Sequence, residues 1–130
     1  MIACGKFGLA AINMKQFNRS TGRAGEDIAA RALQNKGYSI LERNFSNKFG
    51  EIDIIARDKN VLVFVEVKTK IGTDFGLPEE QISPGKLQRI RNMATMYLKG
   101  ETVACRIDVV AIVLGMDNEV VRLTHYENVC

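Results

Sequence analysis

Four charged residues on one expected β-hairpin could do chemistry: Glu51 and Asp53 in Gly50-Glu51-Ile52-Asp53, and Glu66 and Lys68 in Val65-Glu66-Val67-Lys68. Between the segments, Arg57-Asp58-Lys59-Asn60 is polar and flanked by β-branched runs, the pattern of a hairpin turn. With Lys59 and Asn60 as a two-residue loop, Asp53 falls opposite Glu66 and Glu51 opposite Lys68. Side chains alternate along a strand, so these four share one face. Ile52, Ile54, Ala56, Val63, Val65 and Val67 take the other. Facing carboxylates repel, and among apolar neighbours they are costly unless a cation or strong donors compensate. The pattern predicts a divalent-metal site with a lysine beside it. Its plainer alternative is a buried ion-pair cluster of Asp53, Glu66 and Lys68.

The elements that must position these residues follow from periodicity and capping. Thr21 or Ser20 can cap a helix whose apolar positions Ile28, Ala29, Ala32 and Leu33 recur at helical spacing, with Lys36-Gly37 as its stop. Tyr38 to Phe45 alternates like a strand. Residues 51–57 and 61–69 form the hairpin, and the Gly/Asp/Pro-rich stretch from Lys70 to Glu80 reads as a loop. Ser83-Pro84 opens a second helix, serine as N-cap and proline in the first turn. Its stripe is Leu87, Ile90, Ala94, Tyr97 and Leu98, and Gly100 ends it. Val103–Leu114 and Val120–Tyr126 are strands joined across Gly115-Met116-Asp117-Asn118. The order α-β-β-β-α-β-β predicts an α/β fold, a mixed sheet of about five strands flanked by helices. Residues 61–67 are apolar except for Glu66, as in a central strand covered on both faces. The helix between allows a crossover that sets the Arg106–Ile112 strand parallel to an earlier one.

Composition bounds the function. At 130 residues the chain suits one domain, here residues 20–130, preceded by an N-terminal extension over 1–19 that is read as poorly ordered or peripheral. Ile2 to Met14 is mildly apolar, but Lys6 and Asn13 interrupt it and the run is too short to span a bilayer. No membrane role is expected. Cys4, Cys105 and Cys130 lack metal-ligand spacing and read as reduced thiols of a cytoplasmic protein. The single histidine, His125, lies in a late strand, where a structural role is expected. The net charge is +3 but unevenly spread. Residues 15–50 carry seven cations, Arg23 among them, against three acids, and the second helix carries Lys86, Arg89 and Arg91 with no acid. Such basic elements suit a polyanion such as nucleic acid, or simply solvated helix faces.

Four segments in order then carry a resemblance: Gly22-Arg23-Ala24-Gly25-Glu26-Asp27-Ile28-Ala29-Ala30, Gly50-Glu51-Ile52-Asp53-Ile54-Ile55-Ala56, Val63-Phe64-Val65-Glu66-Val67-Lys68 and Arg106-Ile107-Asp108-Val109-Val110. Asp53 and Glu66-Val67-Lys68 are similar to the D…ExK core of restriction-endonuclease-like nucleases. The full set resembles the YraN family of small bacterial proteins, themselves similar to Holliday-junction resolvases. The likeness covers roughly residues 20–126.

The resemblance implies a restriction-endonuclease-like sheet and hydrolysis of phosphodiester bonds in branched or structured DNA. Asp53 and Glu66, with the Val67 carbonyl, would hold Mg²⁺ or Mn²⁺, and Lys68 would orient or deprotonate the attacking water. Glu26 matches an acidic helix position of related resolvases. It also lies in what reads as a first helical turn, where an acid stabilises the helix by roughly 0.3–1 kcal/mol. Lys86, Arg89 and Arg23 would contact nucleic acid, and a homodimer is implied. Glu51 reads as a salt-bridge partner of Lys68, and Asp108 as an ion-pair partner of Arg106. The alternative function is a nucleic-acid-binding protein that keeps the fold without turnover. The basic segments show no aromatic stacking platform, so recognition would rest on phosphate and shape.

Overall fold

The computed structural model describes residues 14–73 and 76–129. Helix α1 runs Met14–Asn35, so it begins before Ser20 and Thr21 and neither residue caps it. Its start lies upstream of the apolar repeat from which the sequence reading began it, and the boundary drawn at residue 20 falls inside it. Of the expected extension, residues 1–13 lie outside the described residues. The C-terminal stop is where Lys36-Gly37 predicts it: Gly37 takes φ 97° and the Tyr38 N–H donates to the Leu33 carbonyl at 3.0 Å.

Three strands follow: β1 (Ser39–Asn47), β2 (Gly50–Asp58) and β3 (Val61–Ile71). Lys59-Asn60 is the two-residue loop, with Lys59 at φ 57°, and it sets the register Ile54↔Val65 through Asp58↔Val61. A 3₁₀ turn, Pro78–Gln81, interrupts the expected loop. Helix α2 (Pro84–Leu98) has Ser83 as its N-cap, the hydroxyl accepting from the Lys86 N–H at 3.1 Å, and Pro84 in its first turn. Strands β4 (Cys105–Leu114) and β5 (Val120–Tyr126) complete the chain.

The sheet order is β1-β2-β3-β4-β5, antiparallel except for the parallel β3–β4 pair, which α2 connects. The expected mixed five-stranded α/β sheet is therefore present. Among the described residues, each face carries one helix. Ala29, Ala30 and Leu33 of α1 pack on Ile54, Ala56, Val63, Val65 and Val67. Ile90, Met93 and Ala94 of α2 pack on Ile55, Phe64 and Ile107. Covered on both sides, β3 is buried from Leu62 to Val67. Ile52 departs from expectation: it joins the α2 cluster rather than the face of Ile54. The change of face falls between the pairs Arg43↔Ile54 and Phe45↔Ile52, where Asn44 of β1 takes φ 55° and breaks the regular pleat. No helix among the described residues is long and apolar enough to cross a membrane.

Candidate metal centre

The acidic residues gather where β2 and β3 part. Beyond Ile54↔Val65, β2 stays paired with β1 through Phe45↔Ile52 and Ser46↔Glu51, while β3 stays paired with β4. Asp53 stands at the fork, and its Oδ2 accepts the Val67 N–H at 2.8 Å. One carboxylate oxygen is thereby fixed against the β3 backbone. Val67, singled out for its carbonyl, acts here through its N–H. Asp53 is 9 % exposed and Glu66 4 %, so both carboxyl groups are held largely away from water.

Helix α1 brings the next acid. Gly25 is buried against β3, where an added Cβ would fall 1.8 Å from Thr69 Oγ1, and this close approach delivers Glu26 to the fork. Carboxylate oxygens of Glu26, Glu51 and Asp53 lie within 4.8 Å of one another. Glu51 thus turns to the acids, and no ion pair joins it to Lys68 among the described residues. Where the strands part, Glu51 no longer faces β3, and the expected cross-strand pairing with Lys68 does not form. On β1, Asn44 takes the left-handed region at φ 55°, and Arg43 pairs with Asp27, the neighbour of Glu26, at 2.7 Å. Glu26 lies more than two turns inside the helix that begins at Met14, so a first-turn dipole role does not apply.

The electrostatics follow from crowding. Burial, then the negative charge of Glu66, pushes the Asp53 carboxyl up to about 8, although the Val67 hydrogen bond opposes this. Burial and then Glu51 raise Glu26. Burial and then Lys86 lower the Lys68 ammonium, with Glu66 partly opposing. Crowded carboxyls that resist full ionisation, Asp53 and Glu26, are groups whose charged forms an added cation would favour. The donors are all oxygens, which fits a hard divalent cation such as Mg²⁺ or Mn²⁺ and not a thiolate- or imidazole-bound metal.

Glu66 differs from expectation in its partner. Its Oε2 accepts from Lys86 Nζ at 2.6 Å, so the lysine assigned to nucleic acid is engaged with a carboxylate. Both residues line a recess of ≈ 240 Å³ between the fork and α2, together with Arg89. They also line a broader cleft of ≈ 760 Å³ that takes in Glu26, Asp53, Lys68 and Gln81. The structure therefore brings Glu26, Asp53, Glu66, Val67, Lys68 and Lys86 to one opening, while Arg89 lines the smaller recess that shares Asp53, Glu66 and Lys86 with it. Arg23 is exposed on α1 beside Gly22, which lines the cleft.

Two features depart from the sequence reading, which put Glu51 on the face of Asp53 but paired it with Lys68. Glu51 joins the acidic cluster, and Phe49, 52 % exposed at the β1–β2 turn, has Lys48 Nζ 5.2 Å from its ring centre. The basic segment thus does present an aromatic ring, two residues from Glu51.

Asp108 belongs elsewhere. It is fully buried, accepts from Arg106 Nε at 3.0 Å and the Asn128 N–H at 2.9 Å, and meets His125 Nε2 at 2.8 Å. Arg106 also reaches Tyr38 and Asp58, and His125 Nδ1 meets Lys36 Nζ at 2.8 Å. Asp108 and His125 tie α1, β4, β5 and the C-terminal segment together. A groove of ≈ 720 Å³ beside Phe45, Met96 and Tyr97, lined also by Glu42, Arg57 and Lys99, shares no residue with the cleft.

These features define a mixed α/β domain with an oxygen-donor centre at a fork in its sheet. The chain belongs to the uncharacterised protein family UPF0102, which matches residues 25–112 and so spans every acid of the cluster, Glu66, Lys68 and Lys86. A UPF0102 protein of Pelotomaculum thermopropionicum is 43% identical over 118 residues, 88% of this chain and 98% of its own length. One of Dictyoglomus turgidum is 40% identical over 114 residues, 85% and 97% of the two chains. One of Geotalea daltonii is 45% identical over 117 residues, 88% and 91%.

Proposed function

We propose that this protein is a divalent-cation-dependent nuclease that hydrolyses phosphodiester bonds in branched or otherwise structured DNA. The observation that carries this reading is the convergence of Glu26, Asp53, Glu66, Lys68 and Lys86 around one cleft, with Glu51 grouped with Glu26 and Asp53. The likeness of Asp53 and Glu66-Val67-Lys68 to the D…ExK nuclease core supports it, as does the sheet with a helix on each face.

In this reading Asp53 and Glu66 hold Mg²⁺ or Mn²⁺, Glu26 and Glu51 add negative charge, and the Val67 carbonyl completes the protein's donors. The bound cation supplies charge neutralisation at the phosphoryl oxygens and a water of lowered pKa. Lys68, its ammonium destabilised by burial and by Lys86, accepts the proton of the attacking water at Nζ. The Val67 N–H holds Asp53 Oδ2 against the β3 backbone at the cleft, which leaves the other oxygen for the cation. Lys86, Arg89 and Arg23 contact the phosphate backbone, which positions the substrate without reading its sequence. By the same resemblance the protein acts as a homodimer, and its cysteines, read as reduced thiols, suit the cytoplasm.

A second reading, binding without turnover, draws on the Lys86–Glu66 pair, which neutralises one carboxylate from within the protein. The two are separated by incubating purified protein with a labelled four-way junction in Mg²⁺, in Ca²⁺ and in EDTA. Cleavage in Mg²⁺ alone, absent in Glu66→Gln, supports the nuclease. Salt-sensitive binding with no cleavage in any condition supports the binding protein.

A further inference from the structure

We infer that Lys86 is the internal counter-ion of the proposed metal centre, holding Glu66 Oε2 and yielding it when a divalent cation binds. The inference rests on the metal-site reading above and assigns a residue that reading leaves as a phosphate contact.

Three observations converge on Lys86. Its Nζ lies 2.6 Å from Glu66 Oε2, a charge-assisted hydrogen bond at short range. The exposures are unequal: the Glu66 side chain is 5 % exposed and that of Lys86 34 %. The carboxylate is therefore fixed and the ammonium can swing into the cleft, because only the lysine has solvent on one side. The third observation is position. Lys86 occupies the first turn of α2, just after the Ser83 cap and Pro84. There the helix dipole and the unpaired backbone N–H groups disfavour a cation. Local helix chemistry would choose an acid at this place, so the lysine is explained by Glu66 and not by the helix it belongs to.

A cation that takes Glu66 Oε2 must compete with that ammonium. Once displaced, Lys86 joins Lys68 and the N-terminus of α2 at the cleft, a grouping suited to a phosphate oxygen. The same lysine would thus guard the carboxylate and, after exchange, meet the substrate. Binding of cation and of phosphate would then favour each other, since each needs Lys86 off Glu66.

The test is calorimetric titration of the full chain with Mn²⁺ alone. Lys86→Met removes the competing charge and keeps the side-chain stem. Mn²⁺ affinity is expected to tighten by at least about tenfold, the scale of one charge-assisted contact no longer competing. Lys86→Arg should stay within about threefold of wild type. Arg89→Met, which removes a cation from the same recess without touching Glu66, should also change little. A thermal melt in EDTA gives a second readout: Lys86→Met should melt lower than wild type, and saturating Mn²⁺ should close the gap. Equal Mn²⁺ affinity in wild type and Lys86→Met would overturn the counter-ion role while leaving the metal centre standing. An equal tightening in Arg89→Met would reduce Lys86 to one charge among several and likewise overturn it. If neither wild type nor Lys86→Met binds millimolar Mn²⁺, the metal centre and this role fall together.

Discussion

Gly25 on α1 and Thr69 on β3 are in such close contact that a Cβ on Gly25 would lie 1.8 Å from Thr69 Oγ1 and 2.8 Å from its Cβ. The branched threonine cannot turn both atoms away, so a larger residue must push the helix off the sheet. That displacement would carry Glu26, the next residue, away from Glu51 and Asp53. Gly25→Ala should therefore destabilise the protein by about 1–3 kcal/mol through overpacking, outweighing the roughly 1 kcal/mol that alanine gains in a helix. Chemical denaturation measures this, and Thr69→Ala in the same chain should restore part of the loss. A stabilised Gly25→Ala would show that the contact does not set the helix position.

Asp53 makes stability depend on pH in the direction opposite to a carboxylate held ionised by salt bridges. Its carboxyl is raised from the usual range to about 8, so the folded protein binds a proton there that the unfolded chain has lost. That contribution is complete below the ordinary aspartate pKa and is lost as pH rises through about 8. Glu26, also raised, adds in the same direction. In EDTA the melting temperature should fall between pH 5.5 and pH 8.5. Asp53→Asn should flatten that fall, and Mn²⁺ at pH 8 should restore the wild-type stability. A melting temperature that climbs across this range would contradict the assignment.

Asp108 predicts the reverse. Burial works to raise its pKa, but the hydrogen bonds from His125, Arg106 and the Asn128 N–H outweigh burial and hold it below the ordinary value. Its contribution is present above the usual aspartate range and is lost as pH falls through its folded pKa. Asp108→Ala leaves Arg106 and His125 without their shared acceptor, and a loss of about 3–5 kcal/mol is expected. Circular dichroism melts test this. Divalent-cation affinity should be unchanged in whatever fraction remains folded, since Asp108 takes no part in the acidic fork.

Lys68 separates charge from proton transfer. Lys68→Ala should keep Mn²⁺ binding and lower turnover by about 10²–10⁴-fold, the range for a lost general base. Lys68→Arg retains the positive charge but cannot give up its proton near neutral pH. Failure of arginine to restore turnover is the expected result. Full restoration would reduce Lys68 to an electrostatic role.

The hairpin and second helix are legible in the residues themselves because local rules govern them. Lys59-Asn60 between β-branched runs fixes the register, and Ser83-Pro84 marks the start of α2. The site is only half legible. Alternation places Glu51 across from Lys68, but alternation holds only while a ladder lasts, and β2 leaves β3 at Ile54. Ile52 lies on the α2 side beyond the point where Asn44, at φ 55°, breaks the pleat of the β1–β2 pair, which no pattern in the residues announces. The partner of Glu66 depends on how α2 crosses the sheet, and a long lysine chain takes whichever acid the tertiary fold offers. No spacing in the sequence encodes that choice. The early start of α1 is likewise hidden, because the chain before Ser20 lacks the apolar repeat that marks the rest of the helix.

The central claim is that the acids at the fork hold a divalent cation. Calorimetric titration of Mn²⁺ into wild type and Asp53→Asn, at pH 8 and equal concentration, tests it most directly. Saturable binding in the wild type that is lost in Asp53→Asn, with both proteins folded by circular dichroism, is the predicted result. Equal binding by the two, or none by the wild type at millimolar Mn²⁺, would contradict it and leave the cluster as architecture.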